Sequence, residues 1–313
     1  MSRFSLNIAV AFMVFKRLDT TKQVFEEIRN AKPPRLYIVC DAARKSVPGE
    51  EEKVRAVREY IEQNIDWDCE VYKNYAEENM GCRDRIVSGI NWCFEQEDEL
   101  IILEDDCRPH PSFFEFCQCM LEHYRNDSRI MHIGGNNPLG ILDNGKGYLL
   151  SQRPTIWGWA TWKRAWDLYD VNMETWPQVK AKKELEYRFV QSEAYETHAA
   201  NWDSVYTKKL NTWDFQWDYA VLYHGGLAVV PTKNLVQNIG FGEDATHTFS
   251  NEQEELAEIY EVSFPIKFRD DCIRDFEYDK KIMQLSRCQL LKYHIRKFLP
   301  QSMLNVYNKL RRI

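Results

Sequence analysis

The sequence predicts an α/β protein with a central, mostly parallel sheet and helices on both faces. Three observations predict it. Strand-length apolar runs alternate with amphipathic helical stretches from Ile8 to Gly135. No Pro/Gly/Ser-rich linker and no internal repeat interrupts the 313 residues. The composition, 44% hydrophobic and 28% charged, is that of an ordinary globular chain, long enough for one large α/β domain.

The elements follow in order. Ile8–Phe15 is a continuous apolar run of strand length. Asp19-Thr20-Thr21 offers N-caps for a helix to about Asn30, with Val24, Phe25 and Ile28 inward, and Pro33-Pro34 ends it. Leu36–Cys40 is a second buried strand, closed by Asp41. Glu50–Asn64 is an amphipathic helix, Trp67–Tyr72 a third strand and Cys82–Phe94 a helix burying Ile86, Ile90 and Cys93. Leu100–Leu103 is a fully apolar strand, Ser112–Tyr124 a helix after Pro111, and Ile130–Ile133 a strand ended by Gly134-Gly135. The second half is aromatic: eight of the ten Trp lie between Trp157 and Trp217. Helices are expected over Thr161–Tyr169, Ala181–Phe189, Tyr195–Leu210 and from Thr212 or Asp214 to Tyr223, and a strand over Leu227–Val230.

Composition excludes several classes. A net charge of −7 argues against a nucleic-acid binder. Nine Cys at irregular spacing, with no CxxC pair, fit neither a secreted disulfide framework nor a zinc site and point to buried thiols in a reducing cytosol. No apolar run approaches the ~20 residues that span a bilayer. The N-terminal run lacks a charged leading region and a small-residue cleavage site, so it reads as a strand, not a signal peptide. GxGxxG, GxxxxGK[ST] and GxSxG are all absent.

In open α/β sheets, ligands sit beyond the carboxyl ends of the strands. Phe15-Lys16-Arg17, Asp41 and Glu104-Asp105-Asp106 should therefore converge on one cleft. Three consecutive carboxylates repel one another and call for a cation. A hard divalent ion, Mg²⁺ or Mn²⁺, fits, taking one or two carboxylates and completing its shell with phosphate and water. A solvated acidic turn is the plain alternative.

Asn79-Met-Gly-Cys-Arg-Asp-Arg-Ile-Val-Ser-Gly-Ile90 and Ile101-Ile-Leu-Glu-Asp-Asp-Cys-Arg-Pro-His-Pro-Ser-Phe-Phe114 resemble a glycosyltransferase family of the GT-A, or nucleotide-diphospho-sugar transferase, fold. The family is the N-acetylglucosaminyltransferase I type, with its bacterial relatives. The resemblance resumes at Trp157–Trp162, Thr212–Trp217 and Asn238–His247, covering about residues 5–250. It implies that Asp106, the last acid of a DxD-like triplet, ligates the metal, and that Glu104 and Asp105 face nucleotide and ribose. It further implies that Phe15, Lys16, Arg17 and Asp41 hold base and ribose, with Arg44 and Arg85 as donor contacts. Arg44 alone reads equally as a solvated loop residue.

An inverting transfer needs one carboxylate to take the acceptor's proton. The resemblance places this base at Asp214, with Asp218 one helical turn later as its rival; periodicity does not separate them. Thr212 or Asp214 also reads as a helix N-cap, which is compatible with catalysis. Trp157 and Trp159 share one face if extended, and with Trp213 they would contact sugar, although burial in a core is the usual fate of such rings. His247, in a Gly-containing polar stretch, is the second metal or phosphate contact by analogy, or simply an exposed loop His.

The expected organisation is one catalytic domain over 1–250, with a nucleotide-sugar half (1–137) and an acceptor half (138–250), then an extension over 251–313. From Gln284 onward there are seven Lys or Arg and no acid. Such a basic amphipathic tail lies on an anionic membrane surface or packs on the domain. The expected partners are a nucleotide-diphospho-sugar donor, a UDP-sugar by the family resemblance, and a glycan or lipid-linked glycan acceptor. The family's eukaryotic members are membrane-anchored. The lack of an anchor here points instead to a cytoplasmic, bacterial polysaccharide enzyme, peripheral on the inner membrane face. A sugar-1-phosphate nucleotidyltransferase and a non-catalytic carbohydrate-binding relic are the alternatives.

Overall fold

A computed structural model describes residues 4–142, 145–240 and 258–284. The chain divides into two units, Met1–Arg274 and Asp275–Ile313. In the second unit the described residues are helical from 276 to 284. The first unit runs past residue 250: Val262 and Ile266 belong to its core, and the Val262 amide donates to the Ser112 hydroxyl at 3.1 Å.

The first unit is α/β, with an eight-stranded sheet in the order β3-β2-β1-β4-β8-β6-β9-β7. Its strands are β1 (Ala9–Val14), β2 (Arg35–Cys40), β3 (Glu70–Tyr75), β4 (Glu99–Glu104), β6 (Ile130–Gly134), β7 (Tyr148–Ser151), β8 (Trp159–Trp162) and β9 (Leu227–Pro231). β1 pairs parallel with β2 and β4, β2 with β3, and β6 with β9. β8 runs antiparallel between β4 and β6, and β7 antiparallel to β9. The chain leaves β1 for β2 on one side and returns to β4 on the other. The cleft at the carboxyl ends of β1 and β4 is therefore a topological switch point.

Alternation along the strands builds two cores. Val10, Phe12 and Val14 face α1 (Leu18–Ala31), α2 (Glu50–Asn64) and α4 (Ser112–Tyr124) through Val24, Val57 and Phe113. Ala9, Ala11 and Met13 face α3 (Cys82–Cys93) and α8 (Asp214–Tyr223) through Ile90 and Trp217. Both faces of β1 are buried, which is why it reads as unbroken apolar sequence. Gly89 lets α3 approach β2 closely; a Cβ there would fall 2.5 Å from Val39 Cγ1. This seats the N-terminus of α3 at the cleft.

Several sequence expectations shift. The third strand lies three residues later, because Glu70–Tyr75 is a half-exposed edge strand with no apolar run to mark its start. The helix expected over Thr161–Tyr169 begins as β8, with a short α5 (Lys163–Trp166) after it. The helix expected over Ala181–Phe189 is instead α6 (Trp176–Lys182) and one 3₁₀ turn, Glu186–Arg188, separated by left-handed Lys183. α7 is Ser192–Tyr206. A second, two-stranded sheet pairs β5 (Cys107–Pro109) with β10 (Val236–Asn238), antiparallel. The eight described cysteines are all free. Among the described residues no helix is long and apolar enough to cross a membrane.

Candidate active site

A cavity of about 400 Å³ opens at the switch point. One wall is the end of β1 and the turn after it, Met13 to Arg17. A second holds Asp41 and Arg44 after β2, with Asn79, Gly81, Cys82 and Arg85 leading into α3. Glu104, Asp105 and Asp106 form the floor at the end of β4. Ile156, Trp157, Thr212, Trp213 and Asp214 complete the lining. The residues read from the sequence as one cleft do share it.

Arg17 organises the floor. Its Nε donates to Asp105 Oδ1 at 3.1 Å, its Nη2 to the same oxygen, and its Nη1 meets Asp106 Oδ2 at 2.9 Å. The Phe15 amide donates to the other Asp105 oxygen at 3.2 Å. Burial opposes charge on Arg17, but Asp105 and Asp106 outweigh it and hold the guanidinium protonated well above its ordinary range. Glu104 behaves oppositely. Burial pushes its pKa up, the Asp106 and Asp105 charges add to that, and Arg17 offsets only part. Asp105 is also raised, by burial first, against the pull of Arg17.

Three carboxylates thus share one guanidinium. Burial is the first cause of the Glu104 shift and the neighbouring carboxylates come next; a divalent cation beside Asp106 would offset their charge. Among the described residues no group of three His, Cys, Asp or Glu side chains forms a cage of its own. Mg²⁺ and Mn²⁺ sites completed by substrate phosphate need none.

The other expected donor contacts are placed unequally. Asp41 lines the cavity, but its carboxylate is engaged: it accepts the Met80 and Gly81 amides at 3.0 Å each, the Asn79 side-chain amide at 3.0 Å and the Ala42 amide at 2.8 Å. It pins the loop ahead of α3. Lys16 and Arg44 converge on Glu50, the first residue of α2. Lys16 Nζ donates at 3.0 Å, and Arg44 donates through its amide, at 2.8 Å, and its Nε, at 2.9 Å. The Arg44 hydrogen bonds, chiefly, hold the Glu50 carboxyl down at about 2. Arg85 is buried and bonds Asn74 through Nη2, while its Nε lacks a partner. Burial lowers its pKa.

Asp214 is the first residue of α8, and Thr212 Oγ1 donates to its carboxylate. No side chain caps this helix, so the N-cap reading does not describe the pair. Asp214 lies close enough to Glu104 and Cys82 to raise the pKa of each, after burial and nearer charges. Asp218 does not reach the cavity. It is buried, accepts Trp202 Nε1 at 3.1 Å, and burial raises its pKa to about 6.

Trp159 is corrected. It lies wholly in the core, stacked on Trp213 at 5.4 Å and on His132 at 5.2 Å. In β8 successive side chains face opposite ways, and Trp159 points into the α3/α8 core. Trp157 and Trp213 do line the cavity. His132 is buried and held neutral, its pKa pushed down to about 3 by burial. His247 lies outside the described residues.

Two contributors escaped the sequence. Glu50 looks like any first-turn acid beside Glu51 and Glu52, and only burial singles it out. Gly240 follows β10, and a Cβ there would fall 2.2 Å from Asp106 Oδ2 and 2.8 Å from Arg17 Nη1. The Ile239 amide donates to the Asp106 carbonyl at 2.7 Å, bringing the backbone onto the acidic floor.

No protein-family model matches the chain, and no curated protein does. Similar solved structures include the mannosyltransferase PcManGT from Pyrobaculum calidifontis in complex with GDP-Man and Mn²⁺. That likeness has 11% identity and a TM-score of 0.42, over 77% of this chain and 59% of that one. A UDP-glucose pyrophosphorylase complexed with UDP-glucose is similar at 12% identity and a TM-score of 0.42, over 80% and 97%. S. aureus TarS 1-349 is similar at 8% identity and 0.39, over 74% and 60%. The chain therefore spans about three fifths of the mannosyltransferase and of TarS. Likeness at this level assigns no activity, and the cavity's own chemistry carries the reading.

Proposed function

We propose that the chain is a metal-dependent, inverting GT-A glycosyltransferase that moves a sugar from a nucleotide-diphospho-sugar, a UDP-sugar, to a glycan or lipid-linked glycan. One observation carries the reading: a single cavity at the switch point is lined both by the acidic run Glu104-Asp105-Asp106 and by Asp214. A Mn²⁺ or Mg²⁺ ion beside Asp106 would supply charge neutralisation for the leaving diphosphate.

The chain's own residues do the rest. Glu104 and Asp105 present acceptors at the nucleotide end, and Phe15, Lys16, Arg44 and Arg85 wall the donor. Glu50 holds Lys16 and Arg44 at the rim. Asp214 takes the proton of the acceptor hydroxyl as its oxygen bonds the sugar's anomeric carbon and the carbon–phosphate oxygen bond breaks in line. The Thr212 hydroxyl orients Asp214 for that transfer. Half-buried Trp157 offers ring surface beside it, whereas Trp213 is buried against Trp159 and only backs the wall. The proposed setting is the cytoplasmic membrane face, with contact through the basic tail beyond residue 284, which lies outside the described residues.

The test is nucleotide release from UDP-glucose, UDP-galactose and UDP-N-acetylglucosamine with Mn²⁺. Asp214→Asn is expected to bind UDP normally and lose turnover, and Asp106→Ala to lose metal-dependent UDP binding. Near-normal turnover by Asp214→Asn would remove it as the base.

A further inference from the structure

Arg17 holds the Asp106 carboxylate that would ligate a metal. Its Nη1 meets Asp106 Oδ2 at 2.9 Å, and the other Asp106 oxygen accepts the Cys107 thiol at 3.4 Å. The rest of the guanidinium is anchored separately, on Asp105 through Nε and Nη2. Arg17 can therefore give up Asp106 without leaving the floor, because the two carboxylates take different nitrogens of one planar fork. Arg17 is half-buried, so its release from Asp106 points one nitrogen at the cavity it lines.

We propose that Arg17 is an exchangeable counter-ion: it holds Asp106 until a divalent cation takes that carboxylate, and its freed Nη1 then takes an oxygen of the donor's diphosphate. This rests on the metal-dependent donor reading above and adds an order of events to it. The exchange breaks no covalent bond and moves no proton; one ion pair is traded for another. It makes metal and diphosphate cooperative beyond simple bridging. Each relieves the other's cost, since the metal frees Arg17 and the diphosphate receives it. Such coupling is reciprocal. It also gives the fold a safeguard, as an acidic floor neutralised by its own arginine holds free metal weakly until a donor arrives.

The experiment is Mn²⁺ binding followed by the electron paramagnetic resonance signal of free Mn²⁺, with and without UDP, on the full chain. Blanks with UDP alone correct for its own metal binding. Wild type is compared with Arg17→Gln and Arg17→Lys, each checked for its circular dichroism and Tm. Arg17→Gln is expected to bind Mn²⁺ alone on the order of tenfold more tightly, because a competing charge is gone. The strengthening of Mn²⁺ binding by UDP is expected to fall by a similar factor. Arg17→Lys keeps the charge but cannot fork across both carboxylates, so it is expected to fall between the two and guards against a misfolded Gln variant.

Unchanged or weaker Mn²⁺ binding in both folded variants would overturn the exchange. Tighter binding with the UDP effect undiminished would also overturn it, since charge removal alone gives that result. Both outcomes leave the donor reading standing. Absence of Mn²⁺ binding in every variant, with or without UDP, would overturn the metal-dependent reading and the exchange together.

Discussion

Gly240→Ala tests the contact between backbone and acidic floor. The added Cβ would lie 2.2 Å from Asp106 Oδ2, 2.7 Å from Asp106 Cβ and 2.8 Å from Arg17 Nη1. Relieving such overlaps requires displacements of about 1 Å. Asp106 Oδ2 and Arg17 Nη1 are side-chain ends that can swing, but Asp106 Cβ moves only with its backbone. Asp106 is held through its carbonyl by the Ile239 amide, and Arg17 is tied to Asp105. Overpacking of this kind costs about 1–3 kcal/mol. At about 2–4 °C per kcal/mol for a domain of this scale, Tm should fall by about 2–12 °C. The displaced group is the proposed metal ligand, so the Mn²⁺-dependent part of UDP binding should weaken by at least tenfold. The assay is a thermal melt of variant and wild type, followed by UDP titration with Mn²⁺ and with EDTA. Gly140→Ala is the control: it meets no atom within 4 Å but places a Cβ on a left-handed residue, φ +77°. It should lose stability and keep UDP binding. A Gly240→Ala protein with wild-type Tm and wild-type UDP affinity would refute the close approach and the place of Asp106 in the donor site.

Other consequences separate the named residues. Asp214→Asn should lose about 10²–10⁴-fold in kcat with UDP affinity unchanged, as removal of a general base does; a matching loss of UDP binding would make it a structural residue. Asp218 has a folded pKa raised to about 6 from 3.8. Its contribution is full below pH 3.8 and is lost as pH rises through about 6. Asp218→Asn should therefore flatten the Tm profile across that window, and an unchanged slope would contradict a buried carboxyl. Glu50 is shifted the other way, from 4.5 to about 2. The Tm difference between wild type and Glu50→Gln should be full above pH 4.5 and close as pH falls through about 2. Glu50→Gln should also raise KM for the donor more than it lowers kcat, because Lys16 and Arg44 lose their shared anchor.

The parallel half of the sheet was legible because β1, β2 and β4 are buried on both faces and therefore written as apolar runs. β3 was misplaced because an edge strand carries polar residues through its length. β8 escaped because four residues, Trp159 to Trp162, are too few to separate strand from helix by period. The site's composition was legible from the carboxyl ends of strands. Its wiring was not: Arg17 and Asp105 are 88 residues apart, and nothing local says that they pair. Asp41 shows the same limit, since the loop amides that fill its carboxylate come from Met80 and Gly81. Trp159 and Trp157 look alike in sequence, but Gly158 between them takes a left-handed φ of +60°, so the pair is not extended, and Trp159 goes to the core while Trp157 stays at the cavity.

The most direct measurement of the central claim is a thermal-shift panel of UDP, GDP, CDP and TDP, each with Mn²⁺, Mg²⁺ or EDTA. A ligand at about 100 times its Kd stabilises by about 2.7 kcal/mol, a shift of several degrees for a chain this size. The metal-bridged donor site predicts a shift with UDP and Mn²⁺ that disappears in EDTA. Equal melting temperatures with every nucleotide and metal would contradict a nucleotide-sugar site in this cavity.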